Sequence, residues 1–257
     1  SVLIMSPIFL LKYKRELKLL QKRDWLFSIV AGVFLAFHFI LWFESLNYTS
    51  VASSTVLVTL QPIFAFIGTY LFFKEKVAFQ SIVAVIVAIC GSLLISWGDF
   101  RVSGTALYGD VLALIACAFI TGYLLFGQDV RKRLSLMTYT MVVYSVSTVT
   151  LFFYVLFTRQ SFGPYAANDW FWFIMLAIVP NLLGHTLFNW SLKWVSTSTI
   201  SIAILFEPVG AAVLAFFIFN EKLVLSQIIG GIVVIFGISM FLFDIKKVKS
   251  FFEKTVA

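Results

Sequence analysis

The chain has 257 residues, 61% of them hydrophobic and 12% charged, with a mean hydropathy of +1.01. Soluble domains run at about 45–50% apolar and roughly 25% charged, so a water-soluble core and a disordered chain are both excluded, and two cysteines exclude a disulfide scaffold. Lys and Arg outnumber Asp and Glu by 19 to 12, but they fall in short runs between apolar stretches, so no nucleic-acid partner is expected.

The chain opens with an apolar segment, Ser1 to Leu11, too short to cross a bilayer. It lacks the basic start and small-residue cleavage site of a signal peptide and reads as the tail of a span, so a preceding segment is expected. Charge-free stretches then run over 25–43, 45–73, 77–98, 111–128, 134–158, 170–192 and 223–243, and 194–220 is broken only by Glu207. A bilayer core about 30 Å thick takes about 20 helical residues, so these read as eight full spans. Cys90 and Cys117 lie inside apolar runs and read as small packing residues.

Orientation follows from the loops. Lys12, Lys14, Arg15, Lys18, Lys22, Arg23, Lys74, Lys76, Arg131, Lys132, Arg133, Lys193, Lys246, Lys247, Lys249 and Lys254 fall on one side, and only Arg101, Arg159 and Lys222 on the other. The rich side, with the C-terminus, is expected to be cytoplasmic, which predicts a multi-pass protein of the cell (inner) membrane.

A shift of 146 residues lays 42–95 on 188–241 with thirteen identities in 54 positions. Pro62 meets Pro208, Glu75 and Lys76 meet Glu221 and Lys222, and Gly91 meets Gly237. The shift covers five spans, an odd number, so the copies are expected to have opposite orientations, as in secondary transporters. The expected fold is an all-α membrane protein of two inverted five-helix repeats, 1–98 (incomplete at its start) and 108–245, with a cytoplasmic tail at 246–257.

A Pro in the fourth span of each repeat and an acidic-basic pair just after that span resemble the EamA family of the drug/metabolite transporter superfamily. The matching text runs from Leu60-Gln61-Pro62 to Glu75-Lys76, and from Phe206-Glu207-Pro208 to Glu221-Lys222. The resemblance implies ten spans in the intact protein and export or uptake of metabolites by alternating access around a central cavity.

Glu207 is the acid deepest inside a span. Twelve residues, about 18 Å of helix, separate Pro208 from Asn220, and a carboxylate at such depth costs roughly 2.5–3.5 kcal/mol. It reads either as a proton-coupling or substrate-amine site, or as a structural group satisfying the backbone freed by Pro208. Gln61 stands at the mirrored position, with Thr55 and Thr59 on the same face; membrane threonines most often bond their own helix. Asn181, His185 and Asn189 recur at i, i+4 and i+8, one face of an α-helix, and His38, Trp42 and Ser45 at comparable spacing in the first repeat. Either histidine is of a type that titrates near neutral pH, and neither has a second ligand at metal spacing. Trp190 and Trp194 suit interfacial anchoring, the phenylalanines suit packing and lipid contact, and Gly230, Gly231 and Gly237 suit close helix approach.

The sequence thus points to a secondary transporter of small organic metabolites, amino acids or drugs, in the direction of export. Its expected site is His38, Trp42, Thr59, Gln61, Asn181, His185, Asn189 and Glu207. A proton is the candidate coupling ion, the bilayer is the solvent partner, and monomer and homodimer both stay open. No metal or cofactor is expected, and no nucleotide-binding phosphate loop is present. The competing class is a membrane enzyme or flippase for a lipid or isoprenoid carrier. It would need paired acids at headgroup level, where Asp99, Asp110 and Asp169 are scattered. A sensor or assembly partner is a third class.

Overall fold

A computed structural model describes residues 1–97, 104–219 and 223–243. These residues form helices and turns with no strand among them. Asp99, Arg101, Asn220, Glu221, Lys222 and the tail at 246–257, all used in the sequence reading, lie outside the described residues.

The helices are α1 (Val2–Ile8, continued by a π-helical turn at Phe9–Tyr13), α2 (Lys22–Ser45), α3 (Val51–Thr59), α4 (Gln61–Phe73), α5 (Phe79–Ile95) and α6 (Gly104–Val130). Then follow α7 (Leu136–Phe157), α8 (Ala167–Leu176), a π-helical stretch (Ala177–His185), α9 (Thr186–Ser191), α10 (Thr197–Ile204), α11 (Glu207–Phe219) and α12 (Leu225–Leu242). A short 3-10 turn, Glu16–Leu19, precedes α2.

Seven of these stretches are long and apolar enough to cross a membrane: Lys22–Ser45, Val51–Phe73, Gly104–Val130, Leu136–Phe157, Ala167–Ser191, Thr197–Ile218 and Leu225–Leu242. The sequence reading counted eight. The remaining one, 77–98, is represented by α5 at 17 residues, about 26 Å of helix. It is shorter than its apolar run because Ala78 is extended, so the helix starts at Phe79, and because Ser96 leaves helical geometry, so it stops at Ile95.

Proline explains where two spans break. A Pro cannot donate to the carbonyl four residues earlier and its ring crowds that carbonyl. Pro208 therefore acts on Ile204, where α10 stops, and Pro62 acts on Val58, one residue before the end of α3. Each span is accordingly two half-helices, joined at Leu60 in one case and at Leu205 and Phe206 in the other. Serine side chains cap three helix starts: Ser50 Oγ accepts from the Ser53 N–H at 3.0 Å, Ser135 Oγ from the Thr138 N–H at 3.2 Å, and Ser196 Oγ from the Thr199 N–H at 3.3 Å.

The chain divides into two compact units, one of Ser1–Ile40 and Ala118–Ile200, the other of Leu41–Cys117 and Ser201–Ala257. In the first, α2 meets α6 along a phenylalanine seam. Phe34 packs edge-on against Phe119 (5.1 Å between centroids) and Phe126 (5.7 Å), directly over Gly122, where an added Cβ would lie 2.5 Å from the ring.

In the second unit α5 and α12 approach backbone to backbone. A Cβ on Gly91 would lie 2.7 Å from the Gly230 carbonyl oxygen, and one on Gly237 2.6 Å from the Ala88 nitrogen. Membrane helices associate through small residues in this way, because apolar side chains gain nothing by leaving lipid. Gly230 and Gly237 thus do what the sequence suggested, whereas Gly231 meets only Val209 side-chain atoms at ordinary contact distance.

Candidate functional site

The sequence-derived residues divide between the units. His38, Asn181, His185 and Asn189 belong to the first, and Trp42, Thr59, Gln61 and Glu207 to the second.

In the first unit the stretch holding Asn181 and His185 is π-helical, not α-helical as the i, i+4 spacing assumed. The cause is Pro180, which cannot donate to the Leu176 carbonyl. Asn181 supplies the missing donor: its Nδ2 reaches Leu176 O at 3.2 Å. The carbonyl of Asn181 accepts in turn from the Tyr144 hydroxyl at 3.2 Å and the Thr186 hydroxyl at 3.4 Å. Asn181 therefore has a structural task that the sequence did not reveal.

His185 is half-buried in an aromatic surround. Phe39, Tyr123 and Phe188 present their rings nearly perpendicular to it, with centroids at 5.6, 6.0 and 6.2 Å. Its Nδ1 is buried with no hydrogen-bond partner. Asn189 is fully buried, and its Nδ2 donates to the Tyr123 hydroxyl while its Oδ1 has no partner within hydrogen-bond geometry. His38 is buried on α2, beside Phe39.

Sequence reasoning missed four members of this cluster. Tyr123 and Tyr139 are fully buried, Tyr144 is nearly so, and Arg131 is 3% exposed. The Tyr139 hydroxyl has no hydrogen-bond partner and stands where a Cβ on Gly127 would come within 2.8 Å. Arg131, read from the sequence as a loop charge, folds inward, with its Nε 2.9 Å from the Asn189 carbonyl oxygen. Burial lowers its guanidinium from the usual range, opposed by Tyr139 and the Glu16 carboxylate. The available signal was the i, i+4, i+8 spacing of Tyr123, Gly127 and Arg131, which places the first two on one face of α6 and the third one turn further on, just past its end.

In the second unit Thr59 donates to Val56 O at 2.8 Å, the ordinary fate of a membrane threonine. Trp42 packs against Val58, Ala113 and Ala116. Ser45 is spent on the Ser54 hydroxyl at 2.6 Å. Gln61 heads α4, is 3% exposed, and has its Oε1 buried with no partner. Glu207 heads α11, where a carboxylate is favoured by the helix dipole. By surface area its side chain is exposed, and it makes no hydrogen bond or ion pair with the described residues.

Two of the scattered acids have local duties. Asp110 accepts from the Thr49 hydroxyl at 2.7 Å, and Asp169 from the Ala166 N–H at 3.0 Å at the start of α8. Trp190 and Trp194 are exposed and pack on each other at 4.5 Å.

Seven apolar helices with polar side chains gathered inside them define a multi-pass membrane protein. The model of the EamA-like transporter family matches residues 1–97 and 107–243, and the chain belongs to that family. It is 27% identical over 222 residues to the uncharacterized transporter YxxF of Bacillus subtilis, covering 86% of this chain and 70% of the relative. It is 24% identical over 248 residues to the riboflavin transporter ImpX of Fusobacterium nucleatum, covering 92% and 83%. A solved crystal structure superposes with a TM-score of 0.74 over 93% of this chain and 82% of the other, at 14% identity, a likeness of fold alone.

Proposed function

We propose that this transporter moves small organic metabolites outward by alternating access, two inverted repeats (1–98 and 108–245) rocking about a midplane cavity without ATP. The observation that carries the reading is Glu207. It lies inside the span Thr197–Ile218, at a break between half-helices, exposed and without a partner among the described residues. Facing lipid, a carboxylate at this depth would cost roughly 2.5–3.5 kcal/mol, so its exposed face belongs on a water-filled or ligand-filled path. Broken helices at such a path are a recurrent transporter device.

Two further relations favour the repeat reading. The breaks fall at Pro62 and Pro208, and the close contact of α5 with α12 uses both Gly91 and Gly237, each pair matched by the 146-residue shift. Glu207 is assigned to an amine of the cargo or to a coupling proton. Gln61, Asn181, His185 and Asn189 would hydrogen-bond the cargo, with His38, Trp42 and Thr59 completing the walls. The basic loops and C-terminus lie in the cytoplasm of a cell whose inner membrane holds the protein.

The experiment is efflux and uptake by full-length protein in proteoliposomes, with and without a proton gradient. The panel comprises amino acids, organic cations and, because one relative is named for it, riboflavin. Glu207→Gln and His185→Ala should each lower transport of whichever cargo moves. Transport unchanged in both variants sinks the site assignment, and no transport of any of the panel sinks the cargo class.

A further inference from the structure

At one end of the first unit a closed set of charges surrounds the start of α2. Asp24 is 3% exposed and accepts from Arg133 twice, Nε at 2.9 Å and Nη2 at 2.6 Å, and from the Gln21 N–H at 3.1 Å. The same Nη2 reaches Asp129 at 2.8 Å, whose other oxygen takes Arg23 at 3.1 Å. Glu16 accepts from the Ser135 N–H at 2.7 Å and from the hydroxyls of Ser135 and Thr138, so it adds to the cap of α7 from outside that helix. Beneath them lies Arg131, donating Nη1 to Leu134 O and Nε to Asn189 O.

The partners come from different halves of the sequence. Glu16, Arg23 and Asp24 belong to the first family-matched segment, 1–97, while Asp129, Arg131, Arg133, Ser135, Thr138 and Asn189 belong to the second, 107–243. Apart from the pair within the second segment, Arg133 with Asp129, every ion pair here joins one segment to the other. Three arginines meet three carboxylates, so the closed set carries no net charge. Removing one member of a buried pair strands its partner, which water must then reach. Arg131 adds a connection inward, because its second hydrogen bond ends on the main chain of a candidate site residue.

We propose that this cluster is a latch between the two segments and that Arg131 is the positioning residue that transmits its state to Asn189. Closed, the latch holds the Asn189 main chain and keeps water from the Tyr123, Tyr139 and Asn189 cluster. Open, it releases both. The proposal rests on Asn189 belonging to the transport site, but its test needs no cargo.

The reporter is Asn189→Cys in a Cys90→Ser, Cys117→Ser background, which keeps the Asn189 carbonyl that Arg131 holds. The rate of N-ethylmaleimide labelling of the purified full chain is measured in detergent. The parent reporter should label slowly, since Asn189 is fully buried. Asp24→Asn should speed labelling about tenfold, the scale of one lost charged hydrogen bond. The exchange Asp24→Arg with Arg133→Asp should return it to the parent rate. Arg131→Lys, which keeps the charge and loses the fork, should also speed it.

A second reporter, Ser147→Cys on α7, separates a latch from general loosening and should keep its slow rate throughout. Unchanged labelling at 189 in Asp24→Asn, equal acceleration at 147, or no return in the exchange variant overturns the latch. If Asp24→Asn does not fold, Arg23→Gln at the exposed rim replaces it, and no acceleration there overturns the proposal equally. Transport that fails with an intact latch response counts against the cargo reading alone.

Discussion

The side-chain amide of Asn181 donates to the Leu176 carbonyl at 3.2 Å, an acceptor that Pro180, lacking an N–H, cannot serve. An asparagine placed directly after a proline here repairs the helix that the proline damages. Asn181→Ala should therefore destabilise the protein by about 1 kcal/mol, and the cost should shrink in a Pro180→Ala background, where a main-chain donor is restored. Thermal unfolding in detergent of both single variants and the double variant measures the coupling. Equal costs in the two backgrounds would contradict the repair.

The glycine seam of α5 and α12 gives a second expectation. Gly237→Ala places a Cβ 2.6 Å from the Ala88 nitrogen and 2.8 Å from the Ala84 carbonyl oxygen, main-chain atoms that cannot step aside. A loss of about 1–3 kcal/mol is expected, the usual range for overpacking. Gly210→Ala on α11 meets nothing within 4 Å and should be neutral or slightly stabilising by helix propensity. The difference in melting temperature between these two variants tests the contact.

Glu16 sets a pH dependence. Partial burial raises its pKa, but the hydrogen bonds from Ser135 and Thr138 and the charge of Arg131 outweigh that, leaving it below the ordinary value of 4.5. A carboxyl group with a depressed pKa in the folded state adds stability that is complete above its unfolded value and fades as pH falls through the folded one. Glu16→Gln should therefore lower the melting temperature at neutral pH, and its effect should fade as pH falls through the depressed folded-state pKa, below which both forms are uncharged. A constant difference across the range would assign the effect to packing.

Much of the architecture was readable because membrane helices advertise themselves by length and charge. The breaks were half-readable. Pro62 and Pro208 marked the positions, but whether a proline kinks a helix or divides it depends on neighbouring contacts that a sequence does not carry. The site was less legible. Glu207 stood out because charge is rare in a span, whereas Tyr123, Tyr139 and Tyr144 are amphipathic and look like any interfacial tyrosine until their burial is seen. Arg131 was counted with the loop charges for the same reason. Its position one residue past α6 fits a loop, and only the fold turns it inward.

The glycine seam also limits how the second unit can move. Side chains that interdigitate can change rotamer and let two helices slip, but a contact made by main-chain atoms has no rotamers to change. Sliding α12 along α5 by one residue would bring side chains such as those of Ile229 or Phe236 to the places where Gly230 and Gly237 now meet the backbone of α5. The pair is therefore held in register and translates as one body. Shape change in this unit is left to the two interruptions, at Leu60 and at Leu205 with Phe206, where no continuous helix resists bending.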